Sequence, residues 1–123
     1  AWAESPLDIN LLKELNVKLC HFLPPERIVI DPESTAVGYG FEYSFTLMER
    51  VKQLGVIIKD SMTQMPMIAN LGKEVWKTKQ AKENKVQGLL FEAMTALGLL
   101  QAGANILVLR HPESLKLVKE TIS

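Results

Sequence analysis

The chain is short of the residues that build covalent or metal chemistry. Of its 123 residues one is cysteine, Cys20, and two are histidine, His21 and His111. A single thiol excludes an internal disulfide and predicts a reducing, cytoplasmic setting. It also excludes a common iron–sulfur cluster, which takes about four thiolates, and a structural zinc site, which takes about four Cys or His ligands. Cys20 and His21 are neighbours and His111 stands apart, so this chain by itself completes neither site. Net charge is missing too, because 14 Lys and Arg balance 14 Asp and Glu. That balance gives no support to nucleic-acid binding or to an anionic membrane surface. No apolar run approaches the roughly 18 residues of a membrane span, and no signal-peptide pattern opens the sequence. P-loop, HExxH, paired-carboxylate and nucleophile–base patterns are all absent.

What is present is ordinary globular material. Hydrophobic residues make up 47% and charged residues 23%, close to the usual composition of folded domains. The length predicts a single domain over residues 1–123, enough to bury roughly two thirds of its unfolded surface. The opening Ala-Trp-Ala, without an initiator methionine, reads as a portion of a longer protein.

Strands alternate with helices along the chain. Ser5, Pro6 and Asp8 form a helix start by capping, first-turn and dipole criteria. Leu12, Leu15, Leu19 and Phe22 then recur at helical spacing, and Pro24-Pro25 stops the helix. Residues 27–31 form a continuous apolar strand of the kind buried in a parallel sheet. After Gly40 a helix turns Phe41, Leu47, Met48, Val51 and Leu54 inward and ends near Gly55. Residues 65–70 form a second strand, 73–82 a short helix, and 86–102 a long apolar helix stopped by Gly103. Residues 105–109 form a third strand, and 113–121 a closing amphipathic helix.

This order predicts an α/β fold of parallel strands in consecutive βα units. Asp31, Asn70 and Arg110 close the strands at intervals of 39 and 40 residues, a regularity that suits a TIM (β/α) barrel. A full barrel takes eight strands in about 250 residues, so the expected object is a partial barrel of about three βα units. A self-contained three-stranded α/β domain is the alternative. The helix over 86–102 is apolar around most of its circumference, with Gln87, Glu92, Thr95 and Gln101 its polar residues. Such a helix needs cover on more than one side, from the rest of a barrel, a partner subunit or self-association.

Ligands of parallel α/β proteins sit at the carboxyl ends of the strands. That rule selects Asp31 with the Gly38-Tyr39-Gly40 turn, Asn70 with Gly72, and Arg110 with His111. A dinucleotide loop does not fit. Its first glycine should follow the strand directly, yet Gly38 comes seven positions after Asp31, and Tyr43 stands in the third glycine's place. Gly38 and Gly40 permit close backbone approach to a ligand or supply positive φ in a turn, and Tyr39 between them presents a flat ring. Asp31 accepts hydrogen bonds or caps a turn. Asn70 offers both a donor and an acceptor. His111 is a metal-ligand or acid–base type, but a lone histidine before a proline is more often a structural one. Lys73, Lys77, Lys79, Lys82 and Lys85 around Trp76 form a weak basic patch.

Three segments carry a specific resemblance: DPESTAVGYGFEYSFTLMER from Asp31, MPMIANLGKEVWKTKQA from Met65, and FEAMTALGLLQAGANILVLRHPESLKLVKE from Phe91. In order and spacing they resemble the small subunit of the corrinoid iron–sulfur protein, the delta subunit of the acetyl-CoA decarbonylase/synthase complex. The resemblance runs from about Leu7 to Glu120, and family members are longer. It implies a (β/α) barrel subunit beside a large subunit that carries the four-iron cluster, with a cobalamin-type corrinoid shared between them. The implied role is to help carry a methyl group on cobalt from a methylated pterin, through a pterin methyltransferase, to acetyl-CoA synthase. It also implies that Asp31, Gly38, Tyr39, Gly40, Asn70, Gly72, Arg110 and His111 lie on the corrinoid-contacting face. His111 lacks the DxHxxG setting of cobalt-ligating histidines, so cobalt ligation is not expected of it. The segment Glu33–Val37 and Phe91 depart from the family's usual threonine- and glycine-bearing loop and tryptophan. Two other functions fit the residues: a pterin-dependent methyltransferase using Asp31 and Asn70, and a non-enzymatic interaction domain.

Overall fold

A computed structural model describes residues 9–32, 34–36 and 38–122. The expected helix start at Ser5, Pro6 and Asp8 lies outside the described residues. Helix α1 (Ile9–Leu19) buries Leu12 and, one turn later, Asn16. Asn16 Nδ2 donates to the Met62 carbonyl at 2.8 Å, which ties α1 to the 3₁₀ turn Ser61–Thr63. Lys13 and Asp60 make an ion pair between the same two regions. Phe22 was expected on the buried stripe and instead stands 85% exposed. The helix has already ended: the amides of Phe22 and Leu23 both donate to Leu19 O in a closing turn, which swings the ring off the helical face.

The strands are parallel but shorter than their apolar runs. Pro25–Arg27 forms a 3₁₀ turn, so the first run begins to pair only at Ile30, which bridges Met67 in parallel. Strand β1 (Ile68–Ala69) pairs in parallel with β2 (Ile106–Leu107). Proline supplies no amide at position 66, and the Asn105 side chain takes the Met67 amide at 3.1 Å in place of a strand carbonyl. At the other end Gly72 N already donates to Val108 O at 3.1 Å, because the next helix starts directly after the strand. The three segments lie side by side in sequence order, an α/β arrangement rich in helix.

Helix α2 (Phe41–Val56) buries Leu47, Met48 and Val51 as expected. The single helix expected over 73–82 is instead two, α3 (Leu71–Val75) and α4 (Lys79–Glu83). Thr78 makes the break: its extended backbone and its hydroxyl, accepting from Ala81 N, start a new helix. Helix α5 (Lys85–Ala102) opens on Asn84, whose side chain accepts from Val86 N and Gln87 N. It closes on Gly103, at φ 118°, where the amides of Gly103 and Ala104 turn back onto Leu100 and Leu99. Helix α6 (Pro112–Ile122) completes the fold.

Helix α5 is the hub, packed against α2, α3, α4 and α6. Two glycines let neighbours approach it. Gly98 lies under the Phe41 ring, and a Cβ on Gly88 would come within 2.6 Å of the Trp76 indole. One cluster joins Ile28, Ile30, Met67 and Ala69 of the strand runs to Leu47, Met48, Ala96 and Leu99 of the helices. The need for cover around α5 is not met on every side: Val86, Leu90 and Met94, one turn apart, stay about half exposed or more among the described residues. No helix among these residues is long and apolar enough to cross a membrane.

At the centre of α5 stands Glu92, fully buried. Its carboxyl oxygens accept from Trp76 Nε1 at 2.8 Å, Arg110 N at 2.9 Å and His111 N at 3.2 Å. A buried polar group without such partners would be strongly unfavourable. One side chain thereby fastens α3 and the β2–α6 connection to α5.

Two outcomes follow from these contacts. Glu92→Ala strands three donors and is expected to lower the unfolding free energy by about 3 kcal/mol, while Glu92→Gln, which keeps one carbonyl acceptor, loses roughly half of that. Urea unfolding followed by circular dichroism measures both, and an unchanged midpoint for Glu92→Ala removes the clamp from the account. Asp60 is held below the ordinary carboxylate range chiefly by the hydrogen bond from Lys13, with help from the Met62 amide and against a desolvation cost. A depressed native pKa contributes stability that is present above the unfolded-state pKa of about 3.9 and is lost as pH falls through the lower native value. Asp60→Asn keeps a capping oxygen but cannot ionise. Its stability at pH 7 is expected to drop by up to about 1 kcal/mol, and the gap from wild type is expected to close on acidification below about pH 4. A gap that stays constant across that range refutes the assignment.

Candidate functional site

Parallel pairing sends the carboxyl ends of all three strand segments in one direction. Asp31 follows Ile30, Asn70 follows β1, and Arg110 closes the run that contains β2. The residues gather into two clefts beside α3. The first, about 230 Å³, brings together Asn70, Gly72 and Arg110 with Lys73, Val108 and Leu109. The second, about 240 Å³, lies under Tyr39 and is lined also by Thr35, Ala36, Glu74, Lys77, Thr78 and Lys79. Asp31 is half-buried beside a buried Pro32 and lines neither cleft. His111 also stands outside both linings.

The loop after Asp31 holds its shape through hydroxyl contacts. Thr35 Oγ1 donates to Gly40 O at 2.8 Å and lies 2.8 Å from Ser44 Oγ on α2. Glycine is required at both ends of the turn, because Gly38 has φ 84° and Gly40 φ 92°. The turn explanation therefore holds, and so does accessibility: a Cβ placed on Gly38 would meet nothing within 4 Å. Tyr39 leaves about half its surface exposed, while its hydroxyl donates to Gln80 Oε1 at 2.5 Å, anchoring the loop on α4. Glu33 and Val37 lie outside the described residues.

Gly72 has a different reason to be glycine. A Cβ there would come within 2.7 Å of Arg110 N and 3.1 Å of Glu92 Oε2. Its bare backbone lets the start of α3 press against the end of the third strand run. Asn70 occupies the cap position of α3 with its side chain not engaged in capping, and it is exposed to the cleft. His111 is engaged locally: Nδ1 accepts from Glu113 N at 3.3 Å at the start of α6, and the ring lies 5.8 Å from Trp76. The basic patch is partly neutralised by Lys77–Glu74 and Lys79–Glu83 pairs.

Glu92 is the site-building residue that the strand-end rule overlooks, since it comes from the middle of a helix. The signal was present in composition, because an acid inside an almost wholly apolar helix needs donors wherever it is buried. Its partners come from residues 16 to 19 positions away. Among the described residues no three His, Cys, Asp or Glu side chains gather to hold a metal ion. The arrangement presents a rim of backbone turns, amide and cationic groups around two shallow clefts.

Residues 2–121 match the family model described as CO dehydrogenase/acetyl-CoA synthase delta subunit. Similar curated proteins include acetyl-CoA decarbonylase/synthase complex subunit delta 2 of Methanosarcina acetivorans, 33% identical over 135 residues, covering 98% of this chain and 30% of the relative. The delta subunit of Methanopyrus kandleri is 35% identical over 126 residues, covering 96% and 31%. That of Archaeoglobus fulgidus is 29% identical over 137 residues, covering 100% and 30%. The chain thus spans a little under a third of the length of these relatives. A match that runs almost end to end, through the strand-end loops as well as the core, makes the chain a member of the CO dehydrogenase/acetyl-CoA synthase delta subunit family.

Proposed function

We propose that this chain is a corrinoid-contacting scaffold portion of a methyl-transfer complex, built as a single domain of about three βα units from a larger TIM barrel. The observation that carries the reading is the cleft at the carboxyl ends of β1 and β2, where Asn70, Gly72 and Arg110 converge. The Tyr39 turn supports it from the same end of the parallel strands, with open space above Gly38 for close approach of a flat ligand.

The residues fit a contact surface rather than a ligand set for cobalt. Asp31, the Gly38-Tyr39-Gly40 turn, Asn70, Gly72, Arg110 and His111 are the groups assigned to corrinoid contact. His111 Nδ1 is already engaged in capping α6, which favours a corrinoid without a lower ligand from this chain. When bound, the corrinoid supplies the cobalt centre that accepts and hands on a methyl group. The chain's own residues position it, shield one side and present amide and cationic donors to its periphery. The assigned partners are the large iron–sulfur subunit, a pterin methyltransferase and acetyl-CoA synthase, in the cytoplasm. The exposed stripe Val86, Leu90 and Met94 and the half-exposed Ile106 and Val108 on β2 suit cover by the remaining barrel or, in the isolated piece, by a second copy.

The test is visible absorption of the full-length delta subunit co-purified with the large iron–sulfur subunit. Corrinoid bands in stoichiometric amount are expected, and a clean heterodimer without them overturns the proposal. Saturable binding of methyltetrahydrofolate by the delta subunit alone would instead transfer the site to a pterin-dependent methyltransferase.

A further inference from the structure

The amino ends of the strands, opposite the rim described above, carry an exposed apolar surface of their own. Two connections enter the strand runs there, residues 20–27 after α1 and residues 57–66 after α2. Phe22 and Leu23 stand out from the first, and Val56, Ile57 and Ile58, at 68–74% exposure, from the end of α2 and the start of the second. Three solvent-facing apolar residues in succession cost solubility without contributing to the core. Between the connections lies a cleft of about 450 Å³, with Pro25 and Glu26 on one bank and Met62, Met65 and Pro66 on the other. The banks are fixed to each other. Asn16 Nδ2 and the Lys13–Asp60 pair join α1 to the second connection, and Ile30 N donates to Pro66 O at 2.8 Å where the strand runs begin to pair.

Charge on this face is of both signs. Glu26 and Arg27 belong to the first bank and Lys59 to the second, and none of the three has an ion-pair partner among the described residues. Lys59 has φ 60°, the positive φ of a non-glycine residue. It stands just after α2, where glycine ordinarily closes a helix. A side chain there is strained, and what lysine adds over glycine is an ammonium at the edge of the apolar patch. A patch with its own positive and negative groups is self-complementary, as an isologous two-fold contact requires. We infer that two copies of this chain pair through the amino-end face, about a two-fold axis through the cleft. Phe22 and Leu23 of each protomer lie over Val56, Ile57 and Ile58 of the other, with Glu26 of one against Lys59 of the other. These five apolar side chains expose on the order of 500 Å², so pairing removes about twice that, near the lower bound of roughly 1,200 Å² for specific interfaces. That size suits a reversible pair. A second copy is favoured over an acidic or basic partner because the patch carries both signs. The pairing leaves the strand-end rim of each protomer facing outward and does not depend on the corrinoid reading.

Sedimentation equilibrium of the full-length delta subunit tests the pairing. A monomer–dimer equilibrium with a dissociation constant of about 1–10 μM is expected. Ile57→Glu, at an exposed position, is expected to weaken it at least about tenfold. Glu26→Lys and Lys59→Glu are each expected to weaken it about fivefold, and the double swap to return it to within about twofold of wild type. Recovery of that kind marks a contact between copies, which general stickiness of an apolar surface does not produce. A subunit that stays monomeric at about 100 μM overturns the inference. So does a dimer indifferent to Ile57→Glu, or a double swap no better than the single ones. Hydroxyl-radical footprinting of Phe22 identifies the remaining occupant. Shielding that rises with protein concentration is the expected result, and a ring shielded equally from about 0.1 to about 100 μM is covered by the rest of the full-length chain, which overturns the pairing.

Discussion

A carboxyl group removed from water loses its hydration, and it is tolerated only where protein donors replace what it lost. Glu92 meets that condition by reaching out of α5 in two directions, to the Trp76 indole and to the backbone of Arg110 and His111. Its requirement for donors and the site's requirement for order are thus satisfied by the same bonds. The turn of α3 that carries Trp76 cannot drift from α5 without stranding an oxygen. Neither can the third strand run swing its exit away from α3. Gly72 and Gly88 complete the arrangement by omission: side chains there would strike Arg110 N and the Trp76 ring.

The strand-end rim inherits its shape from this fixed centre. Short parallel pairings, two residues long between β1 and β2, would be weak alone. They are held by what surrounds them: Asn105 takes the Met67 amide and the Lys52 ammonium, and Gly72 N closes on Val108 O. The resulting rim separates two clefts of similar size and different charge. One has its lysines neutralised by neighbouring glutamates, and the other leaves an arginine and a lysine facing an amide. That difference gives the two ends of the rim unlike charge.

The chain belongs to the delta subunit family, and among the described residues no three His, Cys, Asp or Glu side chains gather to hold a metal ion. The exposed stripe on α5, the half-exposed flank of β2, and the rim clefts are surfaces of different chemistry, the first two apolar and the last polar. Apolar faces suit permanent cover, while polar rims suit a ligand that must be held and released in a defined orientation.

Local chemistry fixed much of this protein in advance. The period of the apolar residues located α2 and α6, because helical amphipathicity is a property of neighbours three and four apart, and α5 was legible as a long apolar stretch stopped by Gly103. Gly103 marked the end of α5, since only a left-handed residue closes a helix in that way, and the order of strands and helices required parallel pairing. The quoted segments carried the family. Tertiary structure decided the rest. It broke the helix expected over 73–82 at Thr78, cut the strands to their paired cores, and turned Phe22 to solvent after α1 closed. It also divided the strand-end residues, bringing Asn70, Gly72 and Arg110 to one cleft, Tyr39 to another, and leaving Asp31 and His111 beside them. The break at Thr78 and the turn at Phe22 are local hydrogen-bond choices that apolar periodicity does not display, whereas the strand pairing and the division of the strand-end residues depend on contacts between residues distant in the chain. The sequence displays Glu92 as one acid in an apolar helix; only the folded chain supplies the three donors that make it the centre of the site.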